Sequence, residues 1–246
     1  MIRRIGPLAA SRVGGAVRLG AARICAPPRA TEPPSDPKPP PPPPPAEEPS
    51  PPDDSELRRR VLEAALEAVP SKGWSVAALS HGAVACGLSP MAHGLCPRGP
   101  IELVEHFSAE CDAKLQAELL ARSEELKELE VHNRLQLAIQ SRLKMVAPYS
   151  SNWAQALALR ALPANIPQSI NDARSLASVL IQACGEDAQA PLFPAGVDTH
   201  VKQMGVSAVY GSAELYMLTD KSEGHTDTWR FVEQQVQTLN SVLRLF

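Results

Sequence analysis

The chain has 246 residues, 25 prolines and a formal charge of −3, and both the prolines and the charge are unevenly spread. Fifteen prolines fall between Pro27 and Pro52, including the unbroken run Pro39 to Pro45, with almost nothing apolar beside them. Such a stretch cannot join a core and predicts a stiff, solvated polyproline II linker over 31–52, which confines the foldable sequence to one domain at 53–246.

Residues 1–30 carry six arginines and neither lysine nor acid, a local charge of +6 that leaves −9 on the rest. An Arg-rich, acid-free start is the composition of a transit peptide, here read as mitochondrial, with a chloroplast address as the rival and a disordered basic tail as the plain alternative. Arg12 and Arg18 interrupt any apolar stretch of the kind a secretory signal needs. No window reaches the ~18 unbroken apolar residues of a membrane-spanning helix.

From Asp54 the apolar residues recur at helical steps. Leu57, Val61, Leu62, Ala65, Leu66 and Val69 predict a helix over 54–69, ended by Pro70 and Gly73. Ser75 opens a short helix to about 86, and Ser89-Pro90 a shorter one interrupted by Gly94 and Pro97. A long helix begins near Pro100 and carries Leu103, Phe107, Cys111, Leu115 and Leu119, with an extension as far as Leu126. Three more follow, around 135–146, around 153–162 and from Ile166 to Gly185. After a Pro/Gly/Ala-rich loop at 186–197, helices over 198–219 and 226–245 complete the chain. No stretch alternates with period two for long enough to propose a sheet, so the fold is predicted to be all-α. Helix, glycine turn and short helix have the spacing of a helix-turn-helix unit, and together with the long helix they resemble the start of the tetracycline-repressor fold.

The residues offer no catalytic chemistry. Cys86, Cys96, Cys111 and Cys184 form no Cys-x-x-Cys pair, and Cys25 lies in the leader. Glu102, Glu105 and His106 share a helical face, but Leu103 stands three residues before His106 where a Glu-x-x-His di-iron motif needs its glutamate; the trio reads as a solvated face rather than a metal site. Nucleophile-elbow, P-loop and dinucleotide-binding glycine motifs are all missing from the sequence. No catalytic residue, metal or cofactor is expected.

Particular strings then become specific. Val61-Leu62-Glu63-Ala64-Ala65-Leu66-Glu67-Ala68-Val69-Pro70 with Gly73-Trp74, Gly87-Leu88-Ser89, Glu102-Leu103 with His106-Phe107, Arg142-Leu143-Lys144-Met145 with Pro148-Tyr149, Leu162-Pro163-Ala164-Asn165-Ile166-Pro167, Glu214-Leu215 and Asp227-Thr228-Trp229-Arg230-Phe231 occur in this order. Together they resemble the mitochondrial COQ-nine family of ubiquinone-biosynthesis lipid-binding accessory proteins, over about 57–240.

The resemblance implies a repressor-like helical bundle with a helix-turn-helix remnant, a dimer, no catalysis, and peripheral contact with the matrix face of the inner membrane. It implies an apolar pocket for isoprenoid quinone intermediates, presented to the di-iron demethoxyubiquinone hydroxylase. The breadth of the apolar faces in 135–181 and 201–243 nominates Met145, Trp153, Leu157, Leu162, Ile166, Ile170, Val209, Leu215, Met217 and Trp229 as its lining; ordinary core is the plain alternative for each. Leu176, Leu180, Asp198 and Lys202 are the partner-binding candidates.

This chain departs from the family pattern in three places. Ser178, Val179, Ile181 and Ala183 stand where relatives carry an acidic pair, Trp and Tyr, and Thr199 and His200 replace a Trp-Tyr pair, which removes aromatic anchors from the hydroxylase-docking surface. The sequence stops at Phe246, before the family's C-terminal membrane helix, so membrane contact would fall to the 229–246 helix through Val236, Leu239, Leu243 and Phe246. The alternatives are a divergent paralogue acting as a scaffold of the biosynthetic complex or in another organelle, and a ligand-responsive transcription regulator. DNA binding is disfavoured, because 75–100 offers only Arg98 besides His81 and His93, and −9 repels a duplex.

Overall fold

A computed structural model of the chain describes residues 54–185, 193 and 196–243. The predicted leader, the proline-rich linker, most of the 186–197 loop and Phe246 lie outside the described residues. Among the described residues every regular element is helical, and all belong to one unit spanning Ser50–Phe246.

The first helix, α1 (Asp54–Leu66), has Asp54 and Glu56 in its first turn, where they complement the helix dipole, and buries Val61, Leu62 and Ala65. It ends three residues earlier than periodicity predicts, because Pro70 starts a separate turn, α2 (Val69–Lys72). Ser75 caps α3 (Val76–Ala85) by accepting a bond from the Ala78 amide, and Gly82 lets α3 lie directly against α1. Ser89 caps a 3₁₀ turn, Pro90–Leu95, and Pro100 opens α4 (Pro100–Ala121). The continuation to Leu126 is a separate short helix, α5 (Ser123–Glu128).

Next come α6 (Val131–Val146), α7 (Ser150–Arg160), α8 (Ile166–Cys184), α9 (Thr199–Met217) and α10 (Thr226–Leu243). The α7–α8 corner is held by Asn165, whose side-chain amide donates to the Leu159 carbonyl at 2.8 Å, and by the Ser169 hydroxyl on the Arg160 carbonyl at 3.0 Å. Arg134 ties the end of α8 to the α5–α6 junction by donating to the carbonyls of Cys184, Leu129 and Lys127. Ser207 on the Ala173 carbonyl and Gln203 on the Ser178 hydroxyl fix α8 and α9 antiparallel, which sets Ile166 level with Leu215. Asp220 joins α9 to α10: its carboxylate accepts from the amide and hydroxyl of both Ser222 and Thr228.

The core runs from the α1–α3 pair to α10. Trp74 packs against Phe107, Tyr149 and Trp153 at ring separations of 5.5, 5.8 and 5.3 Å, linking the N-terminal helices to α4 and α7. Helix α10 turns Val232 and Val236 inward, both fully buried, and leaves Leu239 half-buried as it packs on α6 and α9. The face nominated for membrane contact is therefore, at Val236 and Leu239, a packing face. No described helix is long and apolar enough to cross a membrane.

Candidate functional site

An open space lies between α4 and α8. On α4, Glu105, Ser108, Ala109, Asp112, Ala113, Gln116, Leu119 and Leu120 recur at three- and four-residue steps and share one side; Asp172, Ser175, Val179, Gln182 and Ala183 do the same on α8. The small residues Ser108, Ala109, Ala113, Ser175 and Ala183 leave the two helices too slender to fill the gap. Two chambers result, of about 320 Å³ toward Asp172 and about 290 Å³ toward Gly185, with Gln116 and Val179 common to both. They form one trough that follows α8 from Asp172 to Ala183, a length of about 16 Å at the helical rise. Leu119, Leu120, Leu126, Val179 and Ala183 make its far end apolar.

At the other end Ser108, Asp112 and Asp172 also line a cavity of about 100 Å³ that reaches inward to Arg142, Arg160, Tyr210 and Glu214. Arg142 is 2% exposed. It donates Nε to Asp112 at 2.8 Å and holds its guanidinium 6.0 Å from the Tyr210 ring, yet its Nη1 is buried without an acceptor among the described residues. Arg160 donates Nη2 to the Ser108 hydroxyl, and its Nε is likewise buried without an acceptor. Glu214 Oε1 accepts from the Trp153 indole at 2.9 Å and from the Tyr210 hydroxyl at 3.4 Å. Burial pushes the Asp112 carboxyl above the usual carboxylate range, against the pull of Arg142. It pushes the Tyr210 phenol far up, with Glu214 adding to the effect.

The ten residues nominated for the lining lie elsewhere. Trp153, Val209 and Met217 are core, Met145, Leu157 and Trp229 are half-buried, and Leu162, Ile166, Ile170 and Leu215 are exposed. None of the ten lines the trough or its polar end. Of the partner candidates, Leu176 and Leu180 sit on the core face of α8 and form a wall of the polar cavity, so they present no surface. Asp198 caps α9 through the His200 amide, and the Lys202 ammonium stands 5.5 Å from the Phe193 ring. Periodicity missed Asp112, Arg142, Arg160 and Glu214. A signal existed: Arg142 interrupts the stripe Leu135, Ile139, Val146, and Glu214 the stripe Tyr210, Ala213, Met217, and a charge on a core face needs a buried partner.

Glu102 corrects the solvated-face reading. It is 2% exposed, because its carboxylate accepts from the Arg98 amide at 2.7 Å and pairs with Arg58. His106 instead faces Glu63 and Glu110, whose ligand atoms lie within 4.8 Å of one another, but both carboxylates are engaged by Arg59 and Lys114.

Comparison with known proteins gives the family. The COQ9 family profile matches residues 166–242. The chain is 32% identical over 183 residues to the Drosophila melanogaster ubiquinone biosynthesis protein COQ9, mitochondrial, covering 73% of this chain and 54% of the relative. The Xenopus tropicalis and human proteins of the same name are 33% and 31% identical, each over 74% of this chain and 57% of the relative. This chain belongs to the COQ9 family. It spans a little over half the length of these relatives. The family profile covers α8, α9 and nearly all of α10, so one wall of the trough lies inside the matched COQ9 region and the other, α4, outside it.

Proposed function

We propose that this COQ9-family chain is a non-catalytic lipid-binding accessory protein of ubiquinone biosynthesis, holding an isoprenoid quinone intermediate and presenting it to the demethoxyubiquinone hydroxylase. The observation that carries the reading is the α4–α8 trough, an elongated groove that is apolar toward Gly185 and polar toward Asp172, in a member of a family named for that pathway. Its chambers fall at the lower end of small-molecule pocket sizes, ~300–1,000 Å³. Each methylene moved from water into such a channel contributes about 0.8 kcal/mol. The trough thus serves the prenyl tail, while the ring is kept at the mouth or the polar end.

The leader, the linker and the helical domain would then be an address, a spacer and the working part. Mitochondrial placement rests on the Arg-rich start and the names of the relatives, and peripheral contact with the inner membrane and a homodimer complete the reading. One observation favours a second reading, a scaffold without hydroxylase docking: Val179 and Ala183 line the trough, and Thr199 and His200 are exposed polar residues where aromatic anchors are expected. DNA recognition is weakened further because Arg98 is engaged by Glu105 and Glu102.

The test is to purify the full chain, identify co-purifying lipids by mass spectrometry, and probe the same sample for hydroxylase capture. Quinones with the hydroxylase support the first reading, lipid without the hydroxylase the second. A preparation free of lipid that also takes up no added quinone overturns both.

A further inference from the structure

The buried polar cavity has features that a plain tail-binding trough does not need. Arg142 and Arg160 both line it, and each has a buried guanidinium N–H, Arg142 Nη1 and Arg160 Nε, that finds no acceptor among the described residues. Buried donors are nearly always paired, and those of a charged group most of all, so an acceptor of suitable size is called for. The formal charges decide what kind. Against the two guanidiniums stand three carboxylates that line the same cavity, Asp112, Asp172 and Glu214. A phosphate or carboxylate head would enter a site with no positive excess, buried away from bulk water, where like charges are poorly screened and repel strongly. Carbonyl or ether oxygens accept both bonds and add no charge.

Size and walls narrow the occupant further. A space of about 100 Å³ takes the oxygen-bearing edge of a ring or an ester. The same space would hold roughly three waters at ~30 Å³ each. Ser108, Asp112 and Asp172 line both this cavity and the adjoining chamber, so a head held here lies next to the trough that would take the remainder of the molecule. Leu176 and Leu180 supply an apolar wall beside the donors.

We infer that this cavity is a head-group site for an uncharged amphipathic molecule, whose carbonyl or ether oxygens accept hydrogen bonds from Arg142 and Arg160. The inference rests on the lipid-binding reading above and adds the selection rule: neutral heads enter, anionic heads do not. Arg160 is the residue to perturb, since it is only partly buried and, unlike Arg142, is not paired with a buried carboxylate.

The full chain would be titrated by calorimetry with a benzoquinone bearing two isoprene units, with dodecylbenzene as an oxygen-free analogue, and with dodecanoate. The quinone is expected to bind at least tenfold more tightly than dodecylbenzene, and dodecanoate to leave its binding unchanged. Arg160→Met should weaken the quinone on the order of tenfold, as loss of a charged donor does, without changing dodecylbenzene binding. Arg160→Lys, which keeps the charge but loses Nε, replaces it if the Met variant melts early. Displacement of the quinone by dioctanoylglycerol, lost in the same variant, would identify ester carbonyls as fitting heads and support the rule. Equal weakening of both probes, equal affinity for both, or competition by dodecanoate overturns the head-group site while leaving a tail-binding trough. Failure of every probe to bind removes the trough as well.

Discussion

Three glycines inside helices, Gly82 in α3 and Gly205 and Gly211 in α9, provide a controlled test of how the helices meet. Replacing any of them by alanine brings the same gain in helix propensity, about 1 kcal/mol. The neighbours differ. A Cβ on Gly82 would stand 2.7 Å from the Ala65 backbone nitrogen and 2.8 Å from the Ala65 Cβ, and closer still to the Val61 carbonyl oxygen. Ordinary contact begins near 3.4 Å, so α1 would have to retreat by several tenths of an ångström at the least. Val61, Leu62 and Ala65 hold it in place, all buried. Overpacking of this kind costs about 1–3 kcal/mol and outweighs the propensity gain.

On Gly205 the Cβ would meet only the Leu239 Cδ1, at 2.9 Å, the far end of a side chain that can rotate; on Gly211 it would meet nothing within 4 Å. Gly82→Ala should therefore lower the melting temperature, by up to about 8 °C for a net loss of up to ~2 kcal/mol in a domain of this size. Gly205→Ala should change it little, and Gly211→Ala should raise it by about 2–4 °C. Thermal unfolding followed by circular dichroism decides the matter. Gly82→Ala melting at or above the parent, or Gly211→Ala melting below it, would refute the reasoning.

Other substitutions address the trough and its frame. Val179 is common to both chambers, so Val179→Phe should divide them; long-tailed quinones should lose at least tenfold in affinity, with a ceiling of about 4 kcal/mol for one excluded five-carbon unit, while short-tailed ones bind as before. Calorimetry with both tail lengths checks this, and equal loss for both would count against a continuous trough. Asp220 is nearly enclosed, and although burial alone would raise its pKa, the bonds from Ser222 and Thr228 hold the carboxyl well below its usual range. Its stabilising contribution is present above the unfolded value of ~3.9 and is lost as pH falls toward the folded one, so Asp220→Asn should be less stable than the parent at neutral pH and the gap should close below about pH 4 in denaturant titrations. Burial pushes the Cys184 thiol up to about 12 and that of Cys96 up to about 11. Mass-spectrometric mapping of thiol labelling on the folded chain should find both unmodified while the half-buried Cys86 reacts.

Much of the helical order was legible because it is written in local chemistry. Ser75 and Ser89 cap the elements they were expected to open, and Pro100, Pro148 and Gly185 stand at or beside helix ends. Two boundaries shifted for equally local reasons: Pro70 begins its own turn, and the long helix breaks at Arg122. The candidate site was far less legible. Periodicity marks a side chain as facing a neighbour and says nothing of whether the neighbour fills the space. Trp153 and Met217 lie on apolar stripes and are packed solid, whereas Ala109, Ala113 and Ser175 attract no notice and leave the gap.

By itself the sequence determined an all-helical domain behind a basic, proline-rich start, and, through ordered strings, its family. These depend on propensity, capping and composition, which act over a few residues. The tertiary structure alone decided that α4 and α8 stand apart along their small residues and that Asp112, Arg142, Arg160 and Glu214, spread over four helices, close around one cavity. The reason is geometric: a void is a property of the space between elements far apart in the chain, and a buried charge reveals its partner only when both have been brought there.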